Sequence, residues 1–260
     1  MKIGLALSGG GARGFAHIGV LKALEEMGVK VDRIAGTSAG SIVGAFYAHG
    51  YKPDEMLSII SGLGILKSVR PAWSWTGFLS LEGFKEVLKK YLPENSFESL
   101  KLPLTIAATE IRLGKVVYFS EGELITPIIA SSSIPAVFNP VTFQGNVYID
   151  GGIMDNLPVR PLIGTCDYIV GVHTNPVGQK FDLKNAKDVT MRSLMMAINV
   201  NSTASKAHCN VVIEPPALGG YSPLDISKAK EIFDIGYHYT KDNFTANDFQ
   251  LSDYDRTTTA

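Results

Sequence analysis

The feature that most limits the fold of this chain is its opening pattern, in which two short apolar segments each run directly into a helical pattern. Residues 2–8 and 32–37 are predicted as buried strands, and residues 12–27 and 39–49 as the helices that follow them. The connections are only a few residues long, and such a strand–helix–strand–helix unit forms parallel strands covered by helices. We therefore predict an α/β fold with three layers, α/β/α, and a mainly parallel central sheet.

The rest of the 260-residue chain carries patterns that extend this sheet. Further strand patterns lie at 103–111, 115–119, 137–149, 167–173 and 210–214. Residues 54–92 are predicted to be mainly helical with interruptions, and residues 227–246 to form a final helix. We expect a single domain over residues 1–250, followed by a polar tail at 251–260 that frays.

Composition narrows the class of protein. Hydrophobic residues make up 45% of the chain and charged residues 19%, which is typical of a protein with a sizeable buried core. The formal net charge of −1 offers no basic excess for binding phosphates, so no nucleic-acid partner is expected. Cys166 and Cys209 lack the spacing of a metal or redox site, and we interpret them as buried apolar thiols in a reducing compartment.

The location of the protein is predicted from the absence of targeting patterns in its sequence. The first apolar residues are too few for the core of a signal peptide, and no uninterrupted apolar run approaches the length of a membrane span. We therefore expect a cytoplasmic protein and leave peripheral contact with a membrane open. The sequence does not predict the oligomeric state.

One pentapeptide, Gly36-Thr37-Ser38-Ala39-Gly40, matches the pattern G-x-S-x-G. Ser38 falls between a predicted strand and a predicted helix, where a sharp turn exposes its hydroxyl. Gly36 and Gly40 keep that turn free of clashes, and the helix N-terminus adds partial positive charge beside the attacking oxygen. We predict Ser38 as a nucleophile. An ordinary strand–helix turn of small residues is the alternative.

A glycine-rich loop at residues 9–14 joins the first predicted strand to the first helix. It begins with Gly9, Gly10 and Gly11. Their amides can point at one spot, which suits the stabilisation of a developing oxyanion, and parallel strands would bring the loop beside Ser38. Arg13 either fixes this oxyanion loop or attracts an anionic group of the substrate. A solvated first-turn arginine is a third interpretation of the same residue.

The same loop also fits the dinucleotide fingerprint G-x-G-x-x-G, through Gly9, Gly11 and Gly14. That fingerprint expects an acidic residue near the end of the second strand, where it binds the ribose. Asp32 instead lies at the start of that strand, and Ser38 stands at its end. A nucleotide-binding oxidoreductase is therefore the alternative from a different class of function.

A serine nucleophile needs a base, and Asp150 is the predicted one. It closes the apolar stretch Val147-Tyr148-Ile149 and is followed by Gly151-Gly152, so its carboxylate arrives at a strand end beside a tight turn. A carboxylate is a weak base at its usual pKa of about 4 and works only when it is positioned against the hydroxyl and partly desolvated. A plain Asp-Gly turn is the alternative.

The histidines of the chain offer a different base. They are His17, His49, His173, His208 and His238. Ser38, Asp150 and His173 would match the chain order of an α/β-hydrolase triad, but that fold places several strands before its nucleophile and only one precedes the strand of Ser38 here. His17 and His49 fall in predicted helices, which favours packing or surface roles.

Taken together, these segments resemble the patatin-like phospholipase family. The resemblance runs from Leu5 to about Pro161. It rests on the glycine-rich loop, the pentapeptide around Ser38 and the Asp150 motif, with further similarity at residues 131–140 and at Asn156-Leu157-Pro158. The order and the spacing of the motifs agree with the family. The resemblance implies a patatin-like fold in a short, bacterial type of chain.

The resemblance also implies a mechanism. Ser38 would attack the ester of a lipid, Asp150 would accept the proton without any histidine, and the glycine-rich loop would stabilise the oxyanion. Water would then hydrolyse the acyl-enzyme, as in a phospholipase A or lysophospholipase, and no metal or other cofactor is implied. An acyltransferase is an alternative that uses the same acyl-enzyme and needs an acceptor able to outcompete water.

An aromatic cluster in a predicted irregular segment is the remaining candidate site. It consists of Trp73, Trp75 and Phe78, with Leu79 beside them. Such side chains suit a lid or an interfacial surface that binds lipid acyl chains, and they equally suit a cap on the core.

Overall fold

The structure, a computed structural model, describes residues 1–62, 70–74, 77–178 and 186–249. The strands are β1 (Ile3–Leu7), β2 (Arg33–Thr37), β3 (Arg70–Ser74), β4 (Gly77–Ser80), β5 (Leu104–Glu110), β6 (Lys115–Phe119), β7 (Val141–Phe143), β8 (Asn146–Asp150), β9 (Tyr168–Val172) and β10 (Val211–Ile213). The helices are α1 (Phe15–Glu26), α2 (Ala39–His49), α3 (Pro53–Gly62), α4 (Glu82–Tyr91), α5 (Ile125–Ser131), α6 (Gly152–Asp155), α7 (Ala186–Lys206) and α8 (Ala229–Asn243).

Eight strands form one mixed sheet. Its order is β10-β9-β1-β2-β5-β8-β7, with β6 paired to β5 beside this path. The five strands β10, β9, β1, β2 and β5 are parallel, whereas β6, β7 and β8 are antiparallel additions. The predicted α/β fold with a mainly parallel sheet is therefore confirmed, with an antiparallel part at one end.

The strands β2 and β8 run in opposite directions along the same side of β5, and their C-terminal ends meet there. β2 pairs with the first part of β5, where Thr37 lies beside Ala107. β8 pairs with the second part, where Asp150 lies beside Ala108. Because β6 takes the other side of β5 along both parts, β2 and β8 must share one side. The residues that end these two strands are thereby brought together.

Side chains of the sheet alternate between two faces, each covered by helices. Leu5 and Ile34 belong to the larger core cluster, which includes apolar residues of α1, α2 and α8. Ala6 and Ala35 point to the other face and pack with Leu162 in a smaller cluster. On that second face the hydroxyl of Thr37 donates to the Asp155 carbonyl of α6, which contacts α7. The three-layer α/β/α arrangement is confirmed.

Residues 54–92 contain two helices, α3 and α4, and between them the strands β3 and β4, which pair antiparallel. The two helices and their interruption match the prediction, whereas the segment predicted to be irregular carries these two strands. The two strands are only five and four residues long, and a short apolar run does not distinguish a strand from a helix by its period. The predicted domain boundary stays a prediction, and the tail at 251–260 lies outside the described residues.

Helix α7 is a 21-residue element that the sequence pattern did not predict. Its apolar residues are diluted by Asn, Ser and Thr, so the periodic signal is weak. Within the described ranges, none of the helices combines the length and the apolar character needed to cross a membrane.

Both cysteines are free thiols and are half-buried rather than fully buried. A Cβ atom added to Gly4 in β1 would lie 2.8 Å from the Cys166 sulfur, and one added to Gly171 in β9 would lie 2.6 Å from the Cys209 sulfur. The thiols therefore pack closely against glycines of the sheet.

Candidate active site

Ser38 lies at the turn between β2 and α2, where the G-x-S-x-G pattern predicts it. Its backbone has φ 51° and ψ −122°, a conformation that residues other than glycine rarely adopt. The turn is closely packed, since a Cβ atom added to Gly36 would lie 2.5 Å from the Gly40 carbonyl oxygen and one added to Gly40 would lie 2.2 Å from that of Leu7. Both flanking glycines are therefore required by close approach, and the Ser38 hydroxyl is presented from a strained backbone.

Asp150 meets Ser38 directly. The Ser38 hydroxyl donates a hydrogen bond to Asp150, with 2.8 Å between Oγ and Oδ2, and the Gly152 N–H donates to Oδ1 at 2.8 Å. Both side chains are buried, each residue being 6% exposed. Burial raises the pKa of the Asp150 carboxyl to about 6, against the opposite effect of the hydrogen bonds from Gly152 and Ser38. Such a carboxylate is ionised at neutral pH and is a stronger base than an ordinary aspartate.

The glycine-rich loop packs against the turn that carries Ser38. A Cβ atom added to Gly9 would lie 3.2 Å from the Ser38 Cβ, and one added to Gly14 would lie 2.5 Å from the Ala39 Cβ. The structure therefore brings the loop beside Ser38, as predicted from the parallel pairing of β1 and β2.

The amides of this loop divide into two groups. Three of them donate within the protein: Gly9 to the Asn156 carbonyl at 3.1 Å, Ala12 to that of Pro223 at 2.7 Å and Arg13 to that of Gly10 at 3.2 Å. The amides of Gly10 and Gly11 donate to no residue in the described part of the chain. Of the three glycines predicted for the oxyanion site, Gly10 and Gly11 therefore have their amides available, whereas that of Gly9 holds the loop in place.

Arg13 is buried, and its guanidinium binds to protein groups. Nε donates to the Tyr221 carbonyl at 2.8 Å, and one terminal nitrogen donates to Asn175 Oδ1 at 2.9 Å and to the Pro176 carbonyl at 3.2 Å. Burial, together with the positive charge of Arg192, lowers the pKa of Arg13 to about 10. Of the three roles considered for Arg13, these contacts match the one in which it fixes the loop.

An apolar cavity of about 100 Å³ is lined by Ser38 and by Gly11, Ala12 and Gly14 of the glycine-rich loop. Among the described residues, its apolar wall includes Ile42, Val43, Ile60, Leu81, Phe84 and Phe138. Its polar side chains within the same part of the chain are the hydroxyls of Ser38 and Ser132. No charged side chain of the described residues lines it, so the cavity suits hydrocarbon rather than a charged group.

Neither buried histidine contacts the Ser38–Asp150 pair. His173 Nδ1 lies 2.8 Å from Glu214 Oε1, and His17 Nε2 lies 2.8 Å from the Ser8 carbonyl oxygen. Burial lowers the pKa of both, to about 4 for His17. The triad with His173 that the sequence left open is therefore not formed, because no imidazole stands between Ser38 and Asp150.

The anchor expected of a dinucleotide site is also missing from the end of β2. Asp32 accepts the N–H of Ile3 at 2.7 Å and so serves the start of the sheet. The end of β2 carries Ser38 instead. The geometry of the loop therefore offers no acidic partner for a ribose at the position where the fingerprint requires one.

Some site residues were not identified from the sequence. Ser131 accepts the Ser38 N–H, Ser132 lines the cavity, and Pro223 holds Ala12 from the C-terminal third. The serines lie in the segment 131–140 that resembles the family, which was the available signal for them. The side chains of Trp73 and Phe78, and all of Trp75, lie outside the described residues, so their substrate-binding role stays a prediction.

The fold and the site define a class of protein: an α/β protein in which a strained serine lines an apolar cavity and pairs with a buried aspartate. The sequence model of the family described as patatin-like phospholipase matches residues 5–163. The chain therefore belongs to the patatin-like phospholipase family, and the resemblance noted in its motifs is confirmed.

Similar proteins include uncharacterised NTE family proteins of Mycobacterium bovis and Mycobacterium tuberculosis. Each is 38% identical over 178 residues, which cover 67% of this chain and 49% of the relative. The lysophospholipase NTE1 of Kluyveromyces lactis is 29% identical over 273 residues, covering 92% of this chain and 19% of that protein. This chain thus spans about half the length of the mycobacterial relatives and about a fifth of the yeast one.

Among solved structures, VipD of Legionella pneumophila is similar in fold. The TM-score is 0.53 with 16% sequence identity, and the alignment covers 93% of this chain and 66% of that one. At this level of identity the likeness shows the fold alone.

Proposed function

We propose that this chain is a serine hydrolase that cleaves acyl esters of lipids, with Ser38 as nucleophile and Asp150 as base. The observation that carries the proposal is the 2.8 Å hydrogen bond to the Asp150 carboxylate from the hydroxyl of Ser38, a residue that lines the apolar cavity. A hydroxyl paired with a desolvated carboxylate supports nucleophilic attack, and the cavity favours a hydrocarbon chain as the acyl group.

The reaction follows from these positions. Ser38 Oγ bonds to the ester carbonyl carbon while its proton passes to Asp150 Oδ2, and the amides of Gly10 and Gly11 donate to the oxygen that gains negative charge. The bond to the leaving alcohol breaks, and that alcohol takes the proton from Asp150. Water then attacks the acyl-enzyme, gives a proton to Asp150 and releases the fatty acid. The proton returns to Ser38 Oγ.

A covalent probe tests the nucleophile. We expect a fluorophosphonate to react once per chain, with the adduct on the peptide that carries Ser38. The peptide that carries Ser132 is the internal control, because its hydroxyl lines the same cavity but has no hydrogen-bond partner among the described residues. Mass spectrometry of the digested protein locates the adduct. No adduct, or an adduct on Ser132, would contradict the proposal, and the oxidoreductase alternative predicts no reaction at all.

The substrate is tested with a panel of lipids. Because 92% of this chain aligns with a protein named a lysophospholipase, a monoacyl glycerophospholipid is the first substrate to try, beside its diacyl counterpart. Free fatty acid measured by mass spectrometry is the expected product. Transfer of the acyl group to added glycerol, with little free acid, would favour the acyltransferase alternative.

The pH dependence should report Asp150. Only the ionised carboxylate accepts a proton, so kcat/KM for the uncharged ester p-nitrophenyl butyrate should fall about tenfold per pH unit as the pH drops below about 6. Asp155 is the matched control, because burial also raises its pKa to about 6 while it binds Tyr118 instead of Ser38. Asp155→Asn should keep the acid limb. Loss of the limb in that variant would assign it to Asp155.

A further inference from the structure

Ser131, the last residue of α5, contacts both segments that meet at the proposed dyad. It is fully buried, with 0% exposure. Its hydroxyl oxygen accepts the Ser38 N–H at 2.7 Å and donates to the Ala107 carbonyl at 2.7 Å. Its main-chain carbonyl accepts the N–H of Gly151 at 3.3 Å. One serine therefore links the turn of the nucleophile, the middle of β5 and the residue that follows Asp150.

The hydrogen bond from the Ser38 N–H to the Ser131 hydroxyl holds the strained Ser38 backbone from a different element of the fold. A backbone in the conformation of Ser38 persists only where the surrounding contacts over-determine it. The Ser38 carbonyl is held by the N–H and the hydroxyl of Ser41, at 2.9 Å and 2.7 Å. Ser41 belongs to α2, the helix that directly follows Ser38. Ser131 belongs to a different element and therefore fixes the turn relative to the rest of the site.

The Ser131 hydroxyl also donates to the carbonyl of Ala107, which lies where the ends of β2 and β8 meet along β5. Ala107 lies beside Thr37, the residue before the nucleophile, and the next residue of β5, Ala108, lies beside Asp150. One hydroxyl therefore fixes the Ser38 N–H relative to β5, the strand that also positions Asp150.

We propose that Ser131 is the positioning residue of the dyad: its hydroxyl holds the Ser38 backbone so that Oγ stays within hydrogen-bond range of the Asp150 carboxylate. The inference rests on the proposed function of Ser38 and Asp150. It assigns to the last residue of α5 a role that is separate from lining the cavity, which falls to the next residue, Ser132.

Ser131→Ala should free the Ser38 backbone from this hydrogen bond. It leaves the Ser38 N–H and the Ala107 carbonyl without their partner in a buried place, and an unpaired buried group is unfavourable. Rotation of the Ser38 peptide relieves both the unpaired N–H and the strained φ, and it carries Oγ away from Asp150. A misplacement of about 1 Å can lower a rate about 100-fold, so the effect should appear in the chemical step.

The experiment compares Ser131→Ala with Thr240→Ala in the full chain. Thr240 is the control because it is also fully buried, and its hydroxyl donates to the Gly236 carbonyl of its own helix, α8, at 2.8 Å. The Ser131 variant should react with the fluorophosphonate about 10- to 100-fold more slowly and lose kcat at unchanged KM. Its Ser38 amide should exchange hydrogen faster. The Thr240 variant should change in melting temperature without either effect.

Conservative variants complete the test. Ser131→Thr keeps the hydroxyl and should therefore react at close to the wild-type rate. Ser131→Cys fills a similar volume but forms only weak hydrogen bonds, so it should react slowly. The cysteine variant gives the test a second route if the alanine variant does not fold. Wild-type reactivity in the alanine or cysteine variant would overturn the positioning role. Equal slowing of the Ser131 and Thr240 variants would also overturn it. A wild-type protein that fails to react contradicts the proposed function instead, and exchange at the Ser38 amide still tests the hold on the backbone.

Discussion

Asp150→Asn is expected to lower kcat/KM about 10²- to 10⁴-fold while the protein stays folded, because a general base contributes a factor of this order. The amide has nearly the shape of the carboxylate, so its oxygen can still accept the Gly152 N–H at the place of Oδ1. Its nitrogen then faces the Ser38 hydroxyl and cannot accept a proton. The measurement is the rate of p-nitrophenyl butyrate hydrolysis, with circular dichroism as the check on folding.

The same substitution should make the protein more stable at alkaline pH. A pKa raised from 3.8 to about 6 means that the folded state disfavours the ionised form, by about 3 kcal/mol at 1.36 kcal/mol per pH unit. This destabilisation is fully present above pH 6, shrinks as the pH falls through that value and disappears below pH 3.8, where Asp150 is protonated in both states. The amide introduced by Asp150→Asn is neutral at every pH, so the variant does not carry this cost.

Denaturant unfolding of the wild type and of Asp150→Asn at pH 8 and pH 4 tests whether the substitution raises the free energy of unfolding at the higher pH. The variant should exceed the wild type by about 1–3 kcal/mol at pH 8, and the difference should be smaller at pH 4. Loss of activity together with loss of stability at pH 8 would indicate a structural rather than a catalytic role for the carboxylate. Retained activity would remove Asp150 as the base and require another acceptor for the proton of Ser38.

The elements that the sequence predicted well are those whose causes are local. Close approach explains the flanking glycines of the turn, since a side chain on Gly36 or Gly40 would meet main-chain oxygens at 2.5 Å or less. Such a requirement leaves a short, fixed spacing around Ser38 that is readable without any knowledge of the fold. The parallel neighbours β1 and β2 follow in the same way, because their connection is a single helix.

The pairing of Ser38 with Asp150 had a different origin. It depends on β8 docking antiparallel on β5 just beyond the end of β2, a register between segments 112 residues apart. Periodicity does not encode such a register. The sequence pointed to Asp150 only through its place at a predicted strand end beside a glycine turn, and the resemblance to the family added the dyad without a histidine. The role of Ser131 was missed for the same reason. Its hydroxyl becomes informative only when α5 is placed between β5 and the turn at Ser38.

Ser38→Gly should abolish reaction with the fluorophosphonate and lower ester hydrolysis by about 10⁴-fold or more, because no hydroxyl remains to form the acyl-enzyme. It should at the same time be more stable than Ser38→Ala. Both variants lose the hydrogen bond to Asp150, so their comparison isolates the backbone. Glycine adopts φ 51° and ψ −122° without the strain that a Cβ atom brings.

The expected difference in unfolding free energy between these two variants is about 1 kcal/mol in favour of glycine. It is the strain of a non-glycine residue in a rare conformation, about 1–3 kcal/mol, less the greater entropy of glycine in the unfolded chain, about 0.5–1 kcal/mol. Denaturant unfolding of Ser38→Gly and Ser38→Ala measures it. An alanine variant as stable as the glycine variant would mean that the turn relaxes freely once the hydroxyl is gone. In that case the Ser38 conformation depends on the bond to Asp150 and stores no strain of its own.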